Sequence, residues 1–323
     1  MHEHRGAMLL SHPMDHGHVR DWGEMELVWR HCYEELCGGA SRSVGDRRPL
    51  LLTVPPQTSS ASQAALGEVL FESLRVPSLH LAPTSTLALY ATGRTTGLVL
   101  ECGEGVTAAT PVYEGFSVPH AQVRCDYGGG EVTGELGLLL RRAGVALTTS
   151  SEKEAVRALK EAGAYCALDP SRAEAGVRDG TAPVSEHVLP DGTRLKLGAE
   201  LFRAPELLFN PSLGGLEAPG VAEAVTVAVA RCDLDMRRAL LGAIVVAGGS
   251  TAMKGFPQRL LADVRKAAPI EAKVCVWAPS DRKILTWVGG SILASLSTFK
   301  DIAVSKEEWE EEGPSALERR GAL

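Results

Sequence analysis

The sequence predicts an α/β protein whose two lobes face one cleft, and three observations carry that expectation. Short apolar runs alternate with amphipathic ones along the 323 residues, the pattern of strands interleaved with helices. Two modules, 98–112 and 243–260, each join an apolar strand to a glycine turn. A more charged segment lies between them.

The elements follow in chain order. Leu50 to Val54 reads as a strand closed by Pro55-Pro56. Ser59 or Ser60 can cap a helix in which Leu66, Val69, Leu70 and Leu74 share one face, and Pro77 stops it. Ser78 to Ala82 is a second short strand and Thr84 to Tyr90 a short helical turn. Gly97 to Leu100 and Val106 to Val112 form a hairpin around Gly103-Glu104-Gly105. Glu152 to Leu159 is helical in pattern, whereas the Gly/Ala/charge-rich Ser171 to Pro183 reads as a surface excursion. Leu189-Pro190-Asp191-Gly192 is a tight turn between strands. Ala243 to Ala247 is an apolar strand that runs into Gly248-Gly249-Ser250 and a helix through Leu260. A last helix, Gly290 to Phe299, precedes an acidic tail with Glu307-Glu308-Trp309-Glu310-Glu311-Glu312.

Composition narrows the function classes. An apolar share of 45% and a charged share of 23% are those of a soluble globular protein. A net charge of −7 argues against a general nucleic-acid binder. No apolar run approaches the ~20 residues that span a bilayer. Met1 to Gly6 is polar and His-rich, unlike a secretory leader. The seven cysteines stand singly without a C-x-x-C pair, which suits free thiols in a reducing compartment. His2, His4, His12, His16 and His18 crowd the start, but no acidic or thiol ligands are spaced with them. A solvated terminus is therefore expected there, and no metal site is assigned.

Both glycine turns can hold an anion, because main-chain N–H groups converge where no Cβ intervenes. Glu101-Cys102-Gly103-Glu104-Gly105-Val106-Thr107 has that form, although a G-x-G turn alone is usually only a hairpin. Ala247-Gly248-Gly249-Ser250-Thr251 joins a buried strand to a helix start, where the dipole favours anions. Gly-Gly alone often serves only close packing, but the two turns in one chain favour a nucleotide cleft.

Longer segments carry a resemblance. Thr92 to Gly115, TGRTTGLVLECGEGVTAATPVYEG, resembles actin around its second phosphate loop, and Trp287 to Phe299, WVGGSILASLSTF, resembles actin's last long helix. LPDG (Leu189 to Gly192), FNPSLGG (Phe209 to Gly215) and VVAGGSTAMKGF (Val245 to Phe256) fall in actin's order. HPMDHGHVRDWGEMELVW (His12 to Trp29) near the start and SKEEWEEEGPSALERR near the end do so too. The match covers almost the whole chain and is nearly gap-free from about residue 49.

The resemblance implies the actin-like fold, related to ribonuclease H, around a nucleotide cleft. It makes 1–91 with 285–323 a partial subdomain-1-like region, 92–127 with 217–284 subdomain-3-like, and 128–216 subdomain-4-like. Gly103, Gly105 and Val106 match phosphate-loop residues, and Gly248, Gly249 and Ser250 match a strip on phosphate and adenosine. Lys160, Glu161 and Lys283 match residues that frame adenine and ribose, with Arg157 beside them; a solvated helix face is the plain reading of Arg157, Lys160 and Glu161. An apolar groove for a partner's amphipathic helix is implied between the last helix and Tyr90, with Ile292, Leu293 and Leu296 as lining. Ordinary core is the plain reading of that stripe.

Departures from actin shape the expected function. Met1 aligns inside the actin pattern, so the N-terminal strand pair, the first phosphate loop and the small subdomain 2 are expected to lack counterparts. Thr84 stands for a water-positioning glutamine, Glu101 for the aspartate ordering magnesium's water shell, Glu104 for the loop aspartate, and Ala108 for a histidine near the attacking water. Phosphoryl transfer to water needs a neutralising metal and a positioned nucleophile. The expected role is thus a divergent actin-like scaffold of the cytoplasmic cytoskeleton without significant ATP hydrolysis, weak binding of ATP or ADP with magnesium being compatible with it. No catalytic residue and no protein ligand for a metal is assigned. Its partners are expected to be proteins, other actin-family members among them, and neither nucleic acid nor membrane. A slow polymerising ATPase and an actin-related subunit of a nuclear chromatin complex are the alternatives. Turnover discriminates the first and a basic targeting signal the second, for which only Arg47-Arg48 and Arg319-Arg320 offer pairs.

Overall fold

The computed structural model describes residues 11–37, 48–55, 57–189 and 192–320. Its contacts divide these into a terminal unit, 11–96 with 112–119 and 285–320, and a central unit, 97–111 with 120–284. The terminal unit opens with a two-residue hairpin, β1 (Met14–Asp15) and β2 (His18–Val19). α1 (Trp22–Leu36) follows, capped by the Asp21 side chain on the Glu24 N–H.

β3 (Leu50–Val54) leads to α2 (Ser60–Glu68), whose N-cap is Ser59. A π turn, Val69–Ser73, continues it, and the chain leaves the helix at Arg75 in the left-handed region (φ 54°), two residues ahead of Pro77. Leu66, Leu70 and Leu74 are buried on the inner face, with Val69 half-buried beside them. β4 (Ser78–Pro83) runs straight into α3 (Thr84–Tyr90).

In the central unit β5 (Gly97–Cys102) and β6 (Thr107–Tyr113) are neighbours; the last two residues of β6 belong to the terminal unit and pair there with β7 (Phe116–Ser117). β8 (Val123–Cys125) pairs antiparallel with β6. α4 (Gly129–Arg142) and α5 (Ser150–Gly163) follow, the latter closed by a capping box of Thr149 and Glu152. The segment expected as a surface excursion contains a helix, α6 (Pro170–Arg178), none of whose residues is buried. Asp169 caps it and Pro170 takes the first helical position, signals that the glycine and charge content of the stretch had masked. β9 (Ser185–Val188) and β10 (Arg194–Leu197) form a hairpin; Leu189 and Gly192 are bonded across its turn, while Pro190 and Asp191 lie outside the described residues.

α7 (Glu200–Glu206), α8 (Val221–Ala230) and α9 (Leu234–Gly242) precede β11 (Ile244–Ala247). β11 is fully buried and pairs in parallel with β5 on one side and β12 (Val276–Trp277) on the other. The glycine strip beyond β11 does not open the long helix directly. A four-residue 3-10 turn, Gly249–Ala252, intervenes, and α10 (Phe256–Ala267) starts after Gly255 in the left-handed region. The 128–216 segment joins the same unit as 97–111 and 217–284. Bonds that cross those boundaries account for this: Arg259 of α10 donates to the Ala167 carbonyl and both Glu206 oxygens, and Cys166 N–H donates to Lys254 O.

The chain closes in the terminal unit with α11 (Leu285–Ser295), α12 (Phe299–Ile302), β13 (Val304–Ser305), α13 (Lys306–Glu312) and α14 (Pro314–Arg320). The last long helix thus begins at Leu285 and stops at Ser295, so Phe299 belongs to a separate turn. The acidic run is α13, capped by Ser305, with Trp309 turned in to stack on Phe71 at 5.1 Å. The sheet here has order β13-β4-β3, with α2 and α14 against a core of Leu70, Phe71, Leu79 and Leu317. α11 crosses α3 so closely that a Cβ at Gly289 would lie 1.8 Å from the Leu87 carbonyl oxygen.

Candidate functional site

The site forms where β5 ends. Gly103 N–H donates to Val106 O at 2.9 Å, closing the turn that carries Glu104 and Gly105. Thr107, fully buried, donates its hydroxyl to Tyr127 O at 2.9 Å and so ties β6 to the segment ahead of α4. α4 begins against the turn itself: Gly129 N–H donates to Gly103 O at 2.9 Å and Gly130 N–H to Glu104 O at 2.7 Å. Glu131 closes the helix start by accepting from Gly128 N–H. A Cβ at Gly128 would lie 2.7 Å from the carbonyl oxygens of Gly103 and Glu104, and one at Gly129 would lie 2.6 Å from Ser250 Oγ. Only glycine allows this approach.

Parallel pairing of β11 with β5 sets Ala247 opposite Glu101, and this brings the second glycine strip beside the first turn. Gly248 holds φ 93°, and a Cβ there would meet Cys102 O at 2.3 Å. Gly248 N–H donates to Arg282 O, and Ser250 Oγ donates to Gly103 O at 2.7 Å. Gly249 is exposed with no atom within 4 Å of where a Cβ would stand, so the strip has open space above it. Lys160 of α5 is buried, 6% exposed, and its Nζ donates to Gly129 O at 2.7 Å and stands 3.7 Å from Glu104 Oε2.

The structure therefore gathers Gly103, Gly105, Val106, Lys160, Gly248, Gly249 and Ser250 around two adjoining turns. Glu161 and Lys283 are exposed, and among the described residues no hydrogen bond joins them to these turns. Arg157 pairs with Glu154 on its own helix. Sequence reasoning missed Gly128-Gly129-Gly130 and Glu131. The available signal was a run of three glycines directly ahead of an amphipathic stretch with Val132, Leu136 and Leu140 inward. Of the departures, Glu101 is half-buried on β5, Glu104 is exposed, and Ala108 is buried on β6 opposite Arg124. Thr84 opens α3 in the terminal unit. Burial pushes the Cys102 thiol up to about 11, with its hydrogen bond to the Thr107 hydroxyl oxygen opposing. Among the described residues no His, Cys, Asp and Glu side chains cluster as a metal would require.

A second feature lies wholly in the terminal unit. A cavity of about 210 Å³ is lined by Tyr90, Leu293, His80, Phe116, Thr298 and Ile302 among others. Ile292 and Leu296 are not part of its wall; they are 44% and 50% exposed. The approach of α11 to α3 at Gly289 places Leu293 near Tyr90. His80 Nδ1 lies 3.2 Å from Ile302 O, and Phe299 packs edge-on against the ring. Burial lowers the His80 pKa below 6.5, with the Ile302 carbonyl opposing.

A mixed sheet carrying two abutting glycine turns, with a buried ammonium beside them, defines an α/β protein of the phosphate-cradling kind. The chain belongs to the actin family: the family model described as actin matches residues 1–322. An actin-like protein of Neurospora crassa is 46% identical over 312 residues, covering 96% of this chain and 81% of the relative. Actin-family proteins are normally ATPases that bind ATP or ADP with magnesium. Room for a nucleotide's phosphates lies above Gly249, where the space is open, whereas a Cβ at Gly128, Gly129 or Gly248 would meet the chain's own atoms. Of the residues named from the sequence, Gly105, Val106, Gly249 and Ser250 would hold them, with Lys160 as the cation, since Gly103 and Gly248 N–H are bonded within the chain; bound magnesium would supply charge neutralisation. No helix is long and apolar enough to cross a membrane among the described residues.

Proposed function

We propose that this chain is an actin-like structural or scaffolding component of the cytoplasmic cytoskeleton, which binds nucleotide weakly and hydrolyses it insignificantly. The observation that carries the reading is the pairing of Glu104 with Lys160: the buried cation beside the turn is already answered by the chain's own carboxylate and by the Gly129 carbonyl. An internally compensated cation attracts a phosphate less than an open one. Ala108, buried, offers no group that could move a proton or orient a water. Thr84 and Glu101 stand at the other positions where the family resemblance calls for a glutamine and an aspartate. The cavity at Tyr90 and Leu293 supports attachment to other proteins, in the mode in which an amphipathic helix enters an apolar groove. Other actin-family proteins belong to this class of partner.

A scaffold of this kind does not build actin-type filaments alone. Filaments need a repeated heterologous contact. In the loop resembling actin's apolar filament loop, Leu213 is exposed on a 3-10 turn and is followed by Gly214 and Gly215. Glycines leave little apolar area; each missing large side chain costs a contact about 1.5–3 kcal/mol, tenfold or more in affinity. Sedimentation of the purified chain at micromolar concentration with magnesium and salt tests this. A soluble monomer or a defined small complex is expected, and helical filaments in the pellet by electron microscopy would refute it.

A further inference from the structure

A cavity of about 380 Å³ lies within the central unit, lined from α6 and α7, and no residue of the glycine turns takes part in it. Its floor is aromatic: the Tyr165 and Phe202 rings stand 6.0 Å apart, tilted by 48°. Ala173 of α6 packs against the same small core. Leu168, also in the lining, is 60% exposed, an apolar side chain that an occupant would take out of water. A mostly apolar wall with a few polar groups, at this volume, is the form of a small-molecule site.

The polar groups of the wall set the charge of the ligand. Among the described residues, neither the Arg172 guanidinium nor the Tyr165 hydroxyl has a hydrogen-bond or ion-pair partner. Burial raises the Tyr165 pKa, so the hydroxyl remains a donor. Asp169 lines the cavity too, but its side chain accepts the Arg172 N–H at 3.1 Å as the N-cap of α6. The positive end of that helix answers the carboxylate, which leaves Arg172 as the uncompensated charge. An anion would therefore be held here and a cation opposed.

Main-chain groups around the cavity are already taken. Gly176 O accepts from Thr181 N–H, Ala182 N–H and the Thr181 hydroxyl. Tyr165 N–H donates to Leu201 O, and Ala167 O accepts from Arg259. An incoming polypeptide would bury its peptide groups here without these partners, which is costly. A small molecule free of peptide groups avoids that cost. We propose that this cavity binds a small apolar carboxylate. Its aryl or acyl body would lie on Tyr165 and Phe202, and its carboxylate would meet the Arg172 guanidinium and the Tyr165 hydroxyl.

The test uses the full chain with naproxen, a fluorescent naphthyl carboxylate, beside its uncharged primary amide. Saturable one-to-one binding of the carboxylate is expected. Arg172→Gln should weaken it roughly tenfold or more, the worth of a charge-assisted hydrogen bond, and leave the amide's affinity unchanged. The amide thus keeps that variant's result independent of its folding. Ala173→Leu, which fills the cavity from α6, should abolish binding of both probes. Absence of saturable binding, or binding that either Arg172→Gln or Ala173→Leu leaves unaltered, would overturn the proposal. So would tighter binding of an acetylated peptide that ends in a free leucine carboxylate, since the occupant would then be a polypeptide end.

Discussion

Gly289→Ala is the sharpest test of how α11 meets α3. The new Cβ would stand 1.8 Å from Leu87 O and 2.5 Å from its carbonyl carbon. Ordinary carbon–oxygen contact begins at about 3.3 Å, so the helices would have to part by roughly 1.5 Å. The obstacle is main chain beneath a fully buried Leu87, which no rotamer change moves aside. Overpacking of this kind costs about 1–3 kcal/mol, and parting the helices also strips dispersion contacts. Alanine's better helix propensity returns at most about 1 kcal/mol, so at the upper end of the overpacking cost a net loss of about 2 kcal/mol is expected. Gly290→Ala supplies the contrast one residue on. Its Cβ would meet Leu51 Cδ2 at 3.4 Å and Leu87 Cδ1 at 3.6 Å, ordinary contacts, so it should be neutral or stabilising by up to about 1 kcal/mol. Urea unfolding followed by tryptophan fluorescence reads both variants. Equal midpoints for the two would refute the close approach and the groove geometry built on it.

Two further outcomes follow from the site and the groove. Glu104→Gln should raise the affinity for ATP a few-fold by leaving Lys160 uncompensated; Glu104 is 66% exposed, so solvent screening keeps the effect modest. Isothermal titration calorimetry checks it, and an unchanged affinity would contradict the compensation argument. His80 has its pKa lowered by burial, so the unfolded chain binds more protons in the histidine range and stability rises with pH. That stability is complete above 6.5 and is lost as pH falls below it towards the folded value. His80→Gln should flatten the thermal midpoint between about pH 5 and 7.5, and an unaltered slope would contradict the assignment.

Much of this was legible in the residues because local signals agreed with tertiary ones. Leu50–Val54, Thr84–Tyr90 and the strand before Gly248 were readable from apolar runs bounded by proline or glycine. α6 was not, since its cap and first-turn proline sit in a stretch whose glycines and charges mimic a loop. The break between Ser295 and Phe299 was hidden by continued apolar periodicity, which does not register where hydrogen bonding stops. Lys160 could be named from the family resemblance, but its engagement with Glu104 and Gly129 could not, because the pairing joins residues remote in sequence. The role of Gly128 to Gly130 likewise depends on what lies opposite them, and no local pattern states that.

Steady-state ATP turnover measures the proposed loss of hydrolysis most directly. On the proposed reading, phosphate release by the purified chain with magnesium should be no faster than by its Glu101→Ala variant, since buried Ala108 and the compensated Lys160 offer no group to orient or activate a water. Robust magnesium-dependent turnover that Glu101→Ala abolishes would contradict the account.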